Sequence, residues 1–219
     1  PSSRTFSYRD DNLDDEYYSD GIYVGYRYFD TFGIMPLYCF GYGKGYTDFS
    51  LVTKEVTADE KLVKVEVEVT NIGKVYPGRE VVQVYYSAPD GVMEKPTQEL
   101  AGFAKTKLLM PGEKEVVTVT FATEDMASYD SYDAAWVMEE GEYTIRVGNS
   151  SRTTEVAAII DLDETVQTVL LKNVMKDKEF VKEIHHMVPI FDLELDDTPF
   201  MRPILILSLI HISEPTRPY

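Results

Sequence analysis

Residues 61–70, KLVKVEVEVT, decide the fold class. Val63, Val65, Val67 and Val69 fall on one face of an extended chain, and Lys64, Glu66 and Glu68 on the other. Side chains alternate across a strand with a period of two, so this is the pattern of a half-buried strand in an antiparallel sheet with one wet face. Working outward, NIGKVYPG (71–78) reads as a turn, and REVVQVYYS (79–87), apolar on both faces, as a central strand. ELAGFAKTKLL (99–109) follows a loop holding Pro89, Gly91 and Pro96; MPGEKE (110–115) is a Pro-Gly turn and VVTVTFA (116–122) a further strand. EDMASYD (124–130) fits one helical turn. AAWVMEEGEYTIRVG (134–148) reads as two strands joined at Glu139-Glu140-Gly141, where Gly141 is expected to take a positive φ in a tight turn, and TTEVAAII (153–160) closes the series. Seven or eight short strands in about 110 residues is the spacing of a β-sandwich.

The flanks differ. Residues 1–20 are polar and acidic, and the spacing Asp10, Asn12, Asp14 opens like a calcium loop. The sixth and twelfth positions, Asp15 and Gly21, then lack the required Gly and Glu, so a solvated loop is expected. Residues 22–30, IYVGYRYFD, are β-branched and aromatic and predict a strand; 31–47 is a glycine-rich connector packed by rings. GYGKG at 41–45 has neither the gap nor the Ser/Thr of a phosphate loop. Residues 163–200 carry Val166, Val169, Leu170 and Val174 near helical spacing, which predicts a helical extension. The apolar run 204–212 is far too short to cross a bilayer, and LSLIHISEPTR (207–217) resembles the translation of a sequencing-library adapter. Residues 203–219 are therefore expected to be a non-native tail that contributes nothing to folding.

Composition narrows the partners. With 44% hydrophobic and 12% aromatic residues, the 219-residue chain can bury a core of one or two domains. A net charge of −17 disfavours nucleic acid and anionic membrane surfaces and suits a neutral or small partner. The single cysteine, Cys39, cannot form an internal disulfide and is expected to be a buried, inert thiol. The chain opens at Pro1 without Met or an apolar leader, so a truncated start is expected and any export signal is not visible.

The residues with chemical potential are individually bland. The chain holds 38 acidic residues, so carboxylate pairs carry no information. Glu66 and Glu68 belong to the wet face of a strand, and Glu139 and Glu140, before a turn glycine, are expected to be solvated as well. His185-His186 lacks further ligands at metal spacing, and His211 lies in the suspect tail. Asn149-Ser150-Ser151 fits a glycosylation acceptor. Trp136, the only Trp, is expected in the sandwich core; exposed on a sheet face it would instead offer a sugar-stacking platform. No nucleophile elbow, zinc motif or dinucleotide fingerprint is present, and neither a cofactor nor a metal is expected.

Residues 19–49, SDGIYVGYRYFDTFGIMPLYCFGYGKGYTDF, resemble the glycoside hydrolase family 3 signature EGI-VGYRYYD followed by PL-PFG-GLSYT-F. Asp20 stands where Glu is usual, Cys39-Phe40-Gly41 where Pro-Phe-Gly is usual, and Lys44 where Leu is common. VTNIGKVYPGREVVQVYYSAP, ELAGFAKTKLLMPGE and WVMEEGEYTIRVGNSS, in that order, resemble the fibronectin type III-like domain of the same family, so that the likeness runs over about residues 17–160. The resemblance implies a mainly β chain: an immunoglobulin-like, fibronectin type III-like β-sandwich preceded by a stub of an α/β sandwich domain. It places the end of the α/β domain and its linker at 1–47, the fibronectin type III-like domain at 48–162, and a C-terminal extension at 163–202 that could lead into a barrel in circularly permuted relatives. It implies a fragment of a retaining β-glucosidase-type hydrolase acting on terminal β-D-glucosyl residues, partnered by its own missing catalytic domains and by a glycoside or oligosaccharide substrate. Relatives use an Asp nucleophile on a barrel and a Glu acid/base on the α/β domain, and neither segment occurs here. Ser19-Asp20-Gly21 belongs to the EGI signature, so no catalytic residue is carried over. A family member acting on xylose, arabinose or N-acetylglucosamine, and a non-catalytic carbohydrate-binding or adhesion module, are the alternatives.

Overall fold

The computed structural model describes residues 21–171 and the pair 212–213. Strands β1 (Phe49–Ala58), β2 (Leu62–Asn71) and β5 (Lys114–Ala122) form one antiparallel sheet in the order β1-β2-β5. Facing it is a five-stranded sheet, β11-β9-β8-β3-β4, built from β3 (Val81–Ser87), β4 (Glu99–Lys105), β8 (Gly141–Ser150), β9 (Thr153–Leu162) and the two-residue β11 (Ile212–Ser213). A third, small sheet, β10-β7-β6, joins β6 (Ser128–Asp130), β7 (Ala135–Met138) and β10 (Val166–Leu170).

The alternation in β2 appears as read. Val63, Val65, Val67 and Val69 are fully buried, while Lys64 and Lys114 hold Glu66 and Glu68 in surface ion pairs at 2.5 and 3.1 Å. β3 lies between β4 and β8, and both of its faces are covered: Val82, Val84 and Tyr86 face the core, while Tyr85 on the other face meets the ring of Tyr26. The core joins the β2 valines to Val82, Val84, Val119, Phe121, Tyr143, Ile145 and Ile160, and each such fully buried side chain stabilises the sandwich by roughly 1.5–3 kcal/mol. Thr123–Met126 forms a single 3₁₀ turn where a helical turn was predicted.

Four expectations change. Residues 22–30 do not form a strand: Gly25, at φ 61°, opens the short helix α1, Tyr26–Thr31. The β-forming bias of Tyr, Phe and Val is a weak preference, and side-chain contacts to the sandwich override it. Val166–Leu170 is strand β10 rather than helix, because its β-branched residues pair with β7; residues 172–200 lie outside the described residues. The segment after Trp136 is not a hairpin, since β7 and β8 belong to different sheets. Gly141 does take a positive φ, 121°, at the corner where the chain changes sheet, and a Cβ there would stand 2.9 Å from Pro89. Finally, the tail is not without pairing: Ile212 and Ser213 lie opposite Ile160 and Ile159, on the otherwise open edge of β9. Unpaired N–H and C=O groups on an edge strand accept any extended segment that reaches them.

Candidate functional site

Two arrangements stand out from the sandwich, and neither is a catalytic pair. The first anchors residues 25–46 across the β4 and β8–β9 side of the domain. Helical spacing puts Tyr26 and Asp30 one turn apart on one face of α1. The Leu100 N–H donates to the Tyr26 hydroxyl at 2.8 Å, Arg27 pairs with Glu99 at 2.7 Å, and Thr97 N–H donates to Thr31 Oγ1 at 3.0 Å. Arg152, on the turn between β8 and β9, donates through Nε to Asp30 at 2.6 Å and through Nη2 to the carbonyls of Phe29 and Ile34 at 2.9 and 2.8 Å. Gln98 bridges Asp30 and the Ser151 carbonyl, and Ser151 N–H donates to the Phe40 carbonyl at 2.9 Å. Gly41, at φ 84°, lies so close to Gln83 that a Cβ would collide with its carboxamide at 2.4 Å. Only glycine combines that backbone and that approach.

The other side of the same segment is bare. Met35, Leu37, Tyr38, Phe40, Tyr42 and Tyr46 are all exposed, Leu37 at 88% and Tyr46 at 91%. Tyr26 stacks on Phe40 at 5.0 Å, so the ridge is braced from beneath while its outer rings face solvent. Cys39, expected to be buried, is a free, half-exposed thiol on this ridge.

The second arrangement corrects the reading of Glu139 as a solvated turn residue. Glu139 is 8% exposed, and its carboxylate accepts the N–H groups of Val92 and Met93 at 2.7 and 3.3 Å and an ion pair from Lys95. Lys95 also donates to the Pro89 carbonyl at 3.0 Å. Burial alone pushes the Glu139 carboxyl upward, but Lys95 and the two backbone N–H groups outweigh it and hold the pKa below the ordinary glutamate value. Glu139 thus clamps the loop between β3 and β4. No local pattern in the chain signals this, because Lys95 lies 44 residues away. Tyr143, whose hydroxyl donates to the Glu139 carbonyl at 3.0 Å, is pushed up to about 12 by burial.

Trp136 is also corrected. It is 41% exposed, not core, and faces Tyr129 with ring centroids 5.4 Å apart. Asn149, the acceptor of the glycosylation pattern, has its carboxamide 3.4 Å from Glu80. Among the described residues no three His, Cys, Asp or Glu side chains group as metal ligands, and no helix is long and apolar enough to cross a membrane. Asp10, Asn12, Asp14, His185, His186 and His211 lie outside the described residues.

Two sheets packed on a common core, with these turns and this strand order, define a fibronectin type III-like domain, and the family model of that description matches residues 80–151. Beta-glucosidase A of Butyrivibrio fibrisolvens is 42% identical over 211 residues, taking in 86% of this chain and 24% of that protein. Thermostable beta-glucosidase B of Acetivibrio thermocellus is 37% identical over 171 residues, or 76% and 22%. Among solved structures, a Paenibacillus barengoltzii beta-glucosidase superimposes with a TM-score of 0.68 at 42% identity, over 71% of this chain and 18% of that one. Beta-glucosidase 3B of Thermotoga neapolitana, solved with alpha-D-glucose, gives 0.64 at 44%, over 68% and 21%. The chain has the sequence and fold of the C-terminal region of the glycoside hydrolase family 3 β-glucosidases, and it spans about a quarter or less of the length of these relatives.

Proposed function

We propose that this chain is the accessory part of a retaining glycosidase that hydrolyses terminal non-reducing β-D-glucosyl residues. Its role there is to buttress the catalytic domains. The observation that carries this reading is the two-sided segment 34–46: polar bonds pin one side to the sandwich, while Met35, Leu37, Tyr38, Phe40, Tyr42 and Tyr46 form a bare apolar ridge on the other. Exposed apolar patches of this kind mark contact with another protein surface. Retention needs two carboxylates about 5–5.5 Å apart across the scissile bond. In this reading both come from the catalytic domains, and the carboxylates here serve structure: Asp30 and Glu139 as anchors, Glu66 and Glu68 as surface charge.

The test is complementation. The purified chain alone should not turn over an aryl β-glucoside. Mixed with, or fused to, the catalytic portion of the Butyrivibrio relative stripped of its matching region, it should restore activity that the stripped portion lacks. Turnover by the chain alone that disappears when one of its own carboxylates is replaced would overturn the proposal.

A further inference from the structure

The small sheet presents an aromatic row that the buttressing role leaves unused. Tyr129 on β6, Trp136 on β7 and Val169 on β10 lie directly opposite one another across three adjacent strands. All three are exposed, between 39% and 45%. Three strands at about 4.8 Å spacing make the row roughly 10 Å across, the span of a short oligosaccharide. The stretches of sequence that carry the row hold charge of one sign. Between Lys114 and Arg146 the chain has no Lys or Arg, nor has it any from Thr153 to Leu171, while Asp130, Asp133, Glu140 and Glu164 lie within a few residues of the row's members along the chain.

This combination selects a partner. Carboxylates repel nucleic acid, acidic lipid and acidic polysaccharide. An aromatic face carries negative quadrupolar charge, which the C–H face of a pyranose meets with its weakly positive hydrogens. Hydroxyl groups around that ring donate well to carboxylates, since hydrogen bonds to ionised acceptors are the stronger kind. We propose that Tyr129, Trp136 and Val169 form a binding platform for neutral β-linked gluco-oligosaccharides, with the exposed Asp133, on the turn between β6 and β7, as a hydroxyl acceptor at its edge. The choice of sugar rests on the glucosidase reading above; the choice of a neutral, hydroxyl-rich ligand rests on the row and its charge.

Trp136 is the only tryptophan, so fluorescence excited selectively at tryptophan, beyond the tyrosine absorption, reports this face alone. Titrating the full chain with cellotetraose should shift the emission saturably with a midpoint in the millimolar range, unchanged by adding about 0.5 M salt, where charge interactions are screened. Tyr129→Ala keeps the reporter and should raise the midpoint several-fold. Trp136→Ala should lose at least tenfold in affinity by calorimetry, with the far-ultraviolet circular dichroism of both variants confirming the fold. An unresponsive but folded wild-type chain overturns the platform, as does unchanged binding by the Trp136 variant. A response to hexalysine alone that salt abolishes also overturns it and assigns a cationic partner through cation–π contact instead. The readout needs no hydrolysis, so its failure leaves the complementation result standing, and the reverse holds equally.

Discussion

Glu139 and Lys95 are almost wholly withdrawn from water, at 11% and 8% side-chain exposure. A close pair of this kind is worth little against an apolar replacement, but removing one partner strands the other charge in a poor solvent. Glu139→Gln preserves the shape and leaves Lys95 without its counter-ion, so a loss of roughly 3 kcal/mol in urea denaturation is expected. The pH dependence has a definite sign. The folded carboxyl titrates below its unfolded value, so the clamp is fully present above the ordinary glutamate range and is lost as pH falls through the folded pKa. Melting temperatures measured between about pH 6 and pH 3 should therefore fall less steeply for Glu139→Gln than for the native chain. Equal slopes would remove the clamp as a source of acid sensitivity. That this residue reads as a solvated turn glutamate in the sequence is a matter of distance along the chain: its partners come from the loop between β3 and β4, and no local pattern encodes them.

At the scale of elements, the strands were legible and α1 was not. β2 and β3 state their burial in their own alternation, which depends only on the pleat and on which face meets the core. α1 has no buried residue and six members, so neither propensity nor a hydrophobic stripe announces it. Its helical form is fixed by Arg152, Glu99, Gln98 and Leu100, all on distant strands or turns. β10 was missed for the same reason: five residues, four of them exposed, acquire an extended form only through their partner β7. Trp136 follows from this, since a Trp on a sandwich strand would be core, whereas one on a small outlying sheet need not be. Because Arg152 is the common donor to Asp30, Phe29 and Ile34, Arg152→Ala should release α1 without touching the sandwich. Hydrogen bonds to charged groups are worth about 1.5–3 kcal/mol, so amide exchange over residues 26–34 should quicken by tenfold or more. Exchange in β2 and β3 should stay as slow as before. Uniform quickening throughout would mean that α1 is part of one cooperative unit with the core.

For the molecule as a whole, the decisive feature is the mismatch between its two surfaces. The core is closed: the facing sheets bury the β2 valines completely, and strands distant in sequence pair within each sheet, β2 with β5 and β3 with β8, which makes the sandwich one unit rather than a loose set of hairpins. The ridge from Met35 to Tyr46 is open, and its outermost side chains contribute almost nothing to the chain's own stability because they remain in water. Leu37→Ser and Tyr46→Ser together should therefore change the unfolding free energy of this chain by no more than about 0.5 kcal/mol, the usual range for surface substitutions. The same double variant should behave differently in two other measurements. In sedimentation velocity at rising concentration, the native chain should self-associate through the ridge and the variant should remain monomeric, since burying a fully exposed Leu or Tyr contributes roughly 1.5–3 kcal/mol per side chain. In the complementation assay, the variant should need a higher concentration to restore activity, with the turnover at saturation unchanged, because the ridge binds the catalytic portion and takes no part in the chemistry. A double variant that unfolds readily would show that the ridge is packed within this chain. A stable one that complements as well as the native chain would move the contact surface elsewhere on the domain.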